Sequence, residues 1–593
     1  MTSPIQGETA QVTTALSTKR QQLQRLLGQL SIDRATFWAH WRDLNDHILP
    51  RRGRFWVTDV NRGDKRSQHI IDGTPTLAAR TLSSGMMSGI TSPARPWFNL
   101  TVPDPELAEI SAVKTWLYTV TERMRIVFER SNLYNQLPLV YDDLGVFGTA
   151  AMAVLEDPVN VIRTQAFPIG SYYLATRGDG TIGVFARDFR MTVRAIVDRF
   201  AHKKANGEVA DWDNMSFQVQ NLWKAGQADT WIDVVHVIQP NEQYTGIGWL
   251  SKDKAYSSIY FERGSPEDRF LLEEGFDEFP IMAPRWQTNA EDAYATMCPG
   301  MLALGDIRQL QLMEKKVLMA VEKMINPPMM GPSLLRQAKA SILPGDITYY
   351  DQREGMKGFA PVYQVQFEIQ SAETKQQEVR QRIQRAFYAD LFLMLAEGEQ
   401  QQMTAREVDE RHEEKLIALG PVLESVNQDL LDPLVERTFA IMQRRGHIPP
   451  APEALHGVPL RVEYVSIMAQ AQKMIGLAGL ERFGSFAVQL ASVDPQVLDK
   501  IDIDQMIEQH GDMTGIPPMI LVADDKVKAI RAQRAQQQQQ QQAAENAPGV
   551  AGAAKTLSET NTQKPSALTA LLNARAQTDN QTPQVPTPTV PAT

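Results

Sequence analysis

Residue types that often carry chemistry occur in this chain of 593 residues, but their spacing completes no enzymatic motif. His412, Glu413 and Glu414 are side chains that can bind zinc or transfer protons, yet no second histidine follows four residues after His412, as the helical zinc motif requires. The favoured interpretation is a solvated or interfacial histidine. Because no carboxylate is singled out by spacing as a general acid or base, the sequence predicts neither a catalytic residue nor a metal site.

The chain also lacks the glycine-rich and serine motifs of nucleotide-binding and hydrolytic enzymes. The chain has no Gly-x-x-x-x-Gly-Lys-Ser/Thr phosphate loop, so any ATP-driven motor must be a partner. Residues 246–248 read Gly-Ile-Gly and lack the third glycine of a dinucleotide site, so they are predicted to form a turn. Residues 83–85 read Ser-Ser-Gly and do not have the Gly-x-Ser-x-Gly spacing of a nucleophile elbow. We expect a protein that is not an enzyme and needs no cofactor.

Charge and cysteine content narrow the class of protein further. A formal net charge of −10 argues against a chain that wraps nucleic acid by neutralising phosphates everywhere. The charge is uneven, however, since eleven Lys and Arg outnumber five Asp between Lys19 and Arg66. The single cysteine, Cys298, excludes an intrachain disulfide. No window reaches the roughly 18 apolar residues of a membrane span, so no membrane anchor is predicted.

The elements that must position these residues are long helices separated by interruptions. Apolar residues recur at three- and four-residue steps from Met301 to Met324 and predict one helix, which the prolines of residues 326–328 end. Helical periodicity returns after Ser371. A polar interruption at residues 395–402 then breaks it again.

A third helix is predicted from the capping-box spacing of residues 404–407, Thr-Ala-Arg-Glu. It is expected to run to Gly446, with a bend at Gly420-Pro421 and a second candidate bend at Pro433, because proline removes a helical amide donor.

The first half of the chain mixes helical and strand patterns. Residues 19–49 and 105–137 have helical spacing, whereas short β-rich runs separated by turn residues occupy residues 150–240. Helical portions on either side of a β-rich portion indicate an α+β fold. Beyond Ala543 the Ala/Thr/Pro/Gln-rich composition predicts disorder.

Blocks of sequence spread in order from about Thr81 to Gly446 carry a resemblance to a known family. They are residues 83–98 (SSGMMSGITSPARPWF), 143–150 (DLGVFGTA), 299–300 (PG) followed by 303–308 (ALGDIR), 404–408 (TAREV) and 419–423 (LGPVL). These blocks resemble the head-to-tail connecting proteins, the portals of short-tailed podoviruses. The resemblance covers most of the chain except the extreme termini.

The resemblance implies an α+β, portal-like ring subunit with a wing, a helical stem, a β-containing clip and a helical crown, plus a polar C-terminal tail. The implied segments are a mobile N-terminal arm (1–18), a mixed α/β wing (19–296), a first stem helix (297–325), a clip (326–370), a second stem helix (371–388), a channel loop (389–402), a long kinked wing helix with a following strand (403–466), a crown (467–522), a helical barrel tail (523–545) and a disordered tail (546–593).

Candidate functional residues follow from these segments. The candidates for contact with DNA in a channel are Lys375, Arg380, Arg382 and Arg385, with cross-subunit ion pairs as the alternative role. The channel loop is represented by Leu395, Glu397, Gly398, Glu399 and Gln400, the docking surface of the clip by Tyr349 and Tyr350, and the hinge by Gly420 and Pro421. The basic stretch from Lys19 to Arg66 is either a solvated face or a contact with packaged DNA or the inner face of a shell.

The implied function is that of a viral portal, or head-tail connector, which forms a DNA conduit at one capsid vertex during genome packaging and ejection. The implied partners are copies of itself in a dodecameric ring, double-stranded DNA bound without sequence preference, the packaging terminase, a tail adaptor, and capsid and scaffolding or internal core proteins. The expected location is the portal vertex of the virion, and the host cytoplasm during assembly.

Two other classes of protein remain open from the sequence. A tail adaptor or other structural interaction protein would share the lack of catalytic motifs but should be shorter and lack the order of stem, clip and stem. A DNA-processing nuclease would need a clustered acidic metal site.

Overall fold

The computed structural model describes most of the chain before residue 465 and shorter stretches after it. The described residues are 18–59, 63–203, 209–242, 244, 246, 250–289, 291–325, 329–330, 360–361, 368–392, 420–464, 479–480, 482–487, 489, 502–514, 520, 522 and 526–541. The chain forms two compact units, Met1–Thr514 and Gly515–Thr593. In the second unit, residues 526–541 are helical.

The N-terminal part of the first unit is mainly helical. Its elements are α1 (Lys19–His47), α2 (Thr74–Gly89), β1 (Phe98–Thr101), α3 (Pro105–Glu109), α4 (Ser111–Arg130) and α5 (Leu133–Phe147). A capping box between Thr18 and Gln21 starts α1. Gly148, with a φ of 79°, ends α5 in the left-handed conformation that glycine adopts without strain.

The helical pattern of residues 105–137 is divided in the structure, where one continuous pattern was predicted. The extended backbone of Ile110, with φ −65° and ψ 120°, separates α3 from α4, and Ser131 and Asn132 separate α4 from α5. Leu107 and Val113 both pack into the core on either side of the first break. Apolar spacing therefore continues across a break that only backbone geometry reveals.

The β-rich portion forms two antiparallel sheets. One has the order β3-β2-β9 and the other β4-β5-β6-β7-β8. Their bounds are β2 (Ala151–Asp157), β3 (Val161–Phe167), β4 (Tyr172–Thr176), β5 (Ile182–Thr192), β6 (Trp231–Pro240), β7 (Tyr256–Glu262), β8 (Leu272–Phe276) and β9 (Ile281–Met282). Two short helices, α6 (Val193–Phe200) and α7 (Phe217–Lys224), lie between β5 and β6 in the chain and cover part of the larger sheet.

The C-terminal part of the first unit contributes further helices and short strands. They are α8 (Pro299–Ile325), β10 (Met329–Met330), β11 (Ala360–Pro361), α9 (Ile369–Ala386), α10 (Asp432–Arg444), β12 (Arg461–Tyr464) and α11 (Ile503–Thr514). Strand β12 pairs with β1, and β10 pairs with β11, both antiparallel. Helix α8 lies within the predicted first stem segment, and α9 begins two residues before the predicted second one.

One large core joins helices from distant parts of the chain. Trp41 of α1, Leu82 of α2, Tyr141 of α5, Ile307 of α8 and Ile383 of α9 are all fully buried in it. A separate cluster packs α1 against the larger sheet, and the guanidinium of Arg34 fixes it by donating to the carbonyls of Gly170 and Tyr172 at 2.6 and 3.0 Å. Packed helices around antiparallel sheets confirm the α+β class.

Candidate functional site

Helix α9 carries the four basic residues predicted to contact DNA. Its buried face, formed by Gln376, Val379 and Ile383, packs against α8 and α2. Residues on one side of an amphipathic helix are thereby removed from any ligand. The basic side chains lie outside that buried stripe, and their roles depend on what each of them contacts.

Arg380 forms part of an ion-pair network within the chain. Its Nε donates to Asp72 at 2.8 Å and its Nη2 to Glu314 at 2.5 Å. Burial alone favours the neutral form of Asp72, but hydrogen bonds from Thr74 and Arg380 outweigh it, so the pKa of this carboxyl is lowered. Arg380 therefore ties α9 to α8 and to the start of α2.

The other candidates on α9 differ from one another. Arg382 pairs with Asp306 of α8 at 2.8 Å, and Lys375 pairs with Glu378 on its own helix at 2.9 Å. Both pairs are exposed to solvent. A DNA phosphate could therefore displace the carboxylate of either pair from its cation. Arg385 is exposed and has no ion-pair partner among the residues that the structure describes. Of the four, it is the cation most available to a phosphate.

Other predicted residues lie outside the described part of the chain. They are Tyr349 and Tyr350 of the clip, and Leu395, Glu397, Gly398, Glu399 and Gln400 of the channel loop. Their roles stay predictions.

The predicted hinge residues Gly420 and Pro421 are both helical. Six residues beyond Pro421 the helix widens into a π turn, Asn427–Leu431, in which the amide of Asp432 donates to the carbonyl of Asn427. Only Asp432 separates this turn from Pro433, whose missing amide donor was the available sequence signal. Asp429 within the turn pairs with the nearly buried Arg285 at 3.1 Å, so the irregularity is locked to the rest of the fold.

A second basic surface was not singled out residue by residue from the sequence. Arg42, Arg54 and Lys65 are exposed and have no ion-pair partner within the described ranges. Arg42 and Lys65 line a cavity of about 300 Å³ together with Trp56. Arg54 lines an adjoining cavity of about 190 Å³. We call Arg42, Arg54, Lys65 and Trp56 the basic cleft.

Trp56 gives the basic cleft an aromatic platform. Its side chain is 61% exposed, and it packs edge-on against Trp38 with ring centroids 5.6 Å apart. Asp46 and Asp59 also line the first cavity, but Asp59 is neutralised by Arg66. Part of the excess of positive charge between Lys19 and Arg66 thus forms an accessible surface, whereas Arg20 and Arg34 are buried.

The described residues contain no group of three or more His, Cys, Asp or Glu side chains that could hold a metal ion. Burial explains the strongly shifted pKa values of His236 and Cys298. Burial lowers the pKa of His236, which stacks on Tyr260 inside the larger sheet, and burial raises the pKa of the Cys298 thiol to about 12. What the described surface offers chemically is exposed cations for phosphate.

Comparison with known protein families shows to which family this chain belongs. Residues 20–521 match the family model of bacteriophage head to tail connecting proteins. The chain belongs to that family. The resemblance of the sequence blocks to podovirus connecting proteins is therefore confirmed.

Curated relatives of this family member extend over nearly its whole length. The portal protein of Salmonella phage epsilon15 is 48% identical over 557 residues, which cover 94% of this chain and 98% of that protein. The probable portal protein of Bordetella phage BPP-1 is 41% identical over 560 residues, covering 94% and 99%. A chain from the virion of a native gene transfer agent particle aligns with a TM-score of 0.27 and 9% identity, covering 68% of this chain and 94% of that one. Across the described helices, none is long and apolar enough to cross a bilayer.

Proposed function

We propose that this viral portal assembles into a closed ring of twelve copies, the number that the family resemblance implies, and that DNA passes through its centre. Similarity to two portal proteins over almost the full chain supports the portal role and disfavours a shorter tail adaptor. The role is structural: a passive conduit and docking hub at one capsid vertex of the virion. Assembly in the host cytoplasm is part of the same proposal.

The observation that carries ring formation is the apolar surface of α8. Leu318 and Ile325 are 58% and 80% exposed, and they lie seven residues apart on one side of the helix. Leu312 and Met319, also seven apart, are exposed on another side. A helix that shows apolar side chains in several directions needs more cover than the described part of one chain supplies. Second copies of the chain fit, because a ring places the same helix beside its neighbours by rotation.

DNA contact in this ring would be sparse and independent of sequence. The net charge of −10 favours weak phosphate contacts, which allow a duplex to slide. Arg385 and the basic cleft are the residues that we assign to those contacts. The energy for movement would come from a partner, the packaging terminase.

The clip would present docking residues to the terminase and later to the tail adaptor, while other surfaces would meet capsid and scaffolding or internal core proteins. Replacing Tyr349 and Tyr350 by Ser should weaken terminase or adaptor binding more than it weakens subunit folding. Equal partner affinity in variant and unmodified rings would remove both tyrosines from the interface.

The hinge at Gly420-Pro421 would set the direction of the long helix relative to the ring axis. Pro421→Ala restores an amide donor, so helical content should persist while ring closure is disturbed. Rings with unaltered geometry and the same helix direction would show that the proposed hinge is unimportant.

Complementation tests the portal function directly. A phage with an inactive portal gene would receive this gene in trans, and nuclease-protected DNA per head would be measured. Leu318→Ser with Ile325→Ser should abolish protected DNA and weaken ring assembly, whereas Ile32→Ser, which alters an equally exposed apolar residue on α1, should leave both intact. Metal-dependent DNA cleavage by the purified protein, without protected DNA, would favour the nuclease alternative instead.

A further inference from the structure

Trp56 of the basic cleft is held in place by the packing of its neighbours, although its own side chain is exposed. The residue before it, Phe55, is buried and lies edge-on against Trp38 with ring centroids 5.4 Å apart. The amide of Gly53 donates to Oδ1 of Asn45 at 2.9 Å, which ties the same loop to α1. Trp56 is 61% exposed and meets Trp38 at an angle of 71°, so a face of its indole is open to solvent. The loop therefore presents a preformed flat surface.

The larger cavity beside Trp56 has the size and the polar groups that a nucleobase needs. Its volume is about 300 Å³, at the lower end for pockets that bind small molecules. Asp46 and Gln68 line it together with Trp56. Their oxygens can accept hydrogen bonds from the N–H groups that every base carries, while the flat face of the base stacks on the indole. Such stacking is open to any base, so it selects no sequence.

The smaller cavity suits the phosphate that is attached to such a base. Its volume of about 190 Å³ is lined by four arginines, Arg51, Arg52, Arg54 and Arg66. Among the described residues of its wall, Asp59 supplies the single carboxylate. Arginine is well suited to phosphate, because its planar guanidinium can form two parallel hydrogen bonds to the oxygens. Both cavities are lined by Asp59 and Arg66, so one nucleotide can reach from the indole to the arginines.

We propose that these two cavities bind an unpaired nucleotide of a DNA strand, with its base on Trp56 and its phosphate among the arginines. The proposal deepens the phosphate contacts proposed above for the basic cleft and rests on them. The bases of an intact duplex are stacked on one another, so an aromatic side chain cannot reach their faces. Binding of a duplex in the cleft should therefore depend on the cations, whereas binding of an unpaired strand should depend on Trp56 as well.

Fluorescence anisotropy with rings of the full chain tests the proposal. The probes are a short oligothymidine, which stays unpaired, and a duplex of the same length. Trp56→Ala should lower the ratio of oligothymidine affinity to duplex affinity about 5- to 150-fold, the effect of losing one base–aromatic stack. Trp56→Phe keeps an aromatic ring and should retain most of this ratio. Trp231→Ala is the matched control, because it removes a tryptophan that is 51% exposed and lines neither cavity.

Three results would overturn the proposal and leave the portal function standing. The first is an unchanged affinity ratio in Trp56→Ala. The second is an equal loss of both affinities with a lower melting temperature, which would show that Trp56 only supports the loop. The third is displacement of the oligothymidine by thymidine monophosphate at a similar nucleotide concentration, which would assign the site to free nucleotides. The portal function is measured separately, as nuclease-protected DNA per head, and fails if the unmodified chain protects none.

Discussion

Helix α9 and the basic cleft both carry clusters of cations, but only one cluster is largely committed within the chain. On α9, Arg380 bridges Asp72 and Glu314, and Arg382 pairs with Asp306. In the basic cleft, Arg42, Arg54 and Lys65 have no such partner within the described structure. A cation bound to two carboxylates must break those contacts before it can bind phosphate, whereas an unpaired surface cation has only water to displace. The difference teaches that position along a helix is a weaker guide to DNA contact than the contacts each side chain already makes.

The largest expected effect comes from the basic cleft. The slope of log affinity for duplex DNA against log salt is negative. Replacing Arg42, Arg54 and Lys65 by Gln should reduce the magnitude of this slope by about 2.7, because each lost phosphate contact contributes about 0.9. Between 50 and 200 mM salt this corresponds to about 40-fold in salt sensitivity. Fluorescence anisotropy with a short duplex measures the slope. An unchanged slope would contradict DNA binding in the cleft.

The next largest effect should be on stability, at Arg380. Arg380→Ala leaves Asp72 and Glu314, both mostly buried, without their shared cation, and should cost about 1–3 kcal/mol of the free energy of unfolding. The lowered pKa of Asp72 contributes stability above its unfolded value of about 4 and loses it as the pH falls. The difference between variant and unmodified protein should therefore shrink below about pH 4 in urea unfolding. A constant difference across pH would show that Asp72 is not its source.

A smaller effect on DNA should separate Arg385 from its neighbours. Arg385→Gln should reduce the salt slope by about 0.9, which is about 3.5-fold in affinity between 50 and 200 mM salt. Stability should not change, since the side chain is exposed. If removing Arg385 changes neither quantity, then α9 contributes no phosphate contact through its most available cation.

The smallest effect is expected for the exposed pairs on α9. Lys375→Ala should leave the unfolding midpoint unchanged, because the pair with Glu378 is solvated on both sides. A clear loss of stability in Lys375→Ala would mean that a neighbouring subunit covers this pair. Concentration-dependent unfolding would identify that case.

Local signals in the sequence predict part of this arrangement well. The apolar stripe from Met301 and the prolines at 327–328 delimit α8, and five ordered blocks suffice for the family. The pairing of Arg380 with Asp72 joins residues 308 positions apart, which no local pattern encodes. The same holds for the contact between Gly85 and the ring of Phe392. Position 85 requires glycine because this ring, from a residue far along the chain, occupies the space of a side chain. Pro433 indicated a bend close to the π turn. The ion pair between Arg285 and Asp429, which holds this turn, could be found only from the structure.

Ring formation is the central claim, and imaging of the purified full chain tests it most directly. Two-dimensional class averages by electron microscopy, with the subunit count from native mass spectrometry, should show rings with a central opening and a single closed stoichiometry. Leu318→Ser with Ile325→Ser should shift the population toward single subunits. A uniformly monomeric, compact particle at all concentrations of the unmodified protein would contradict the account.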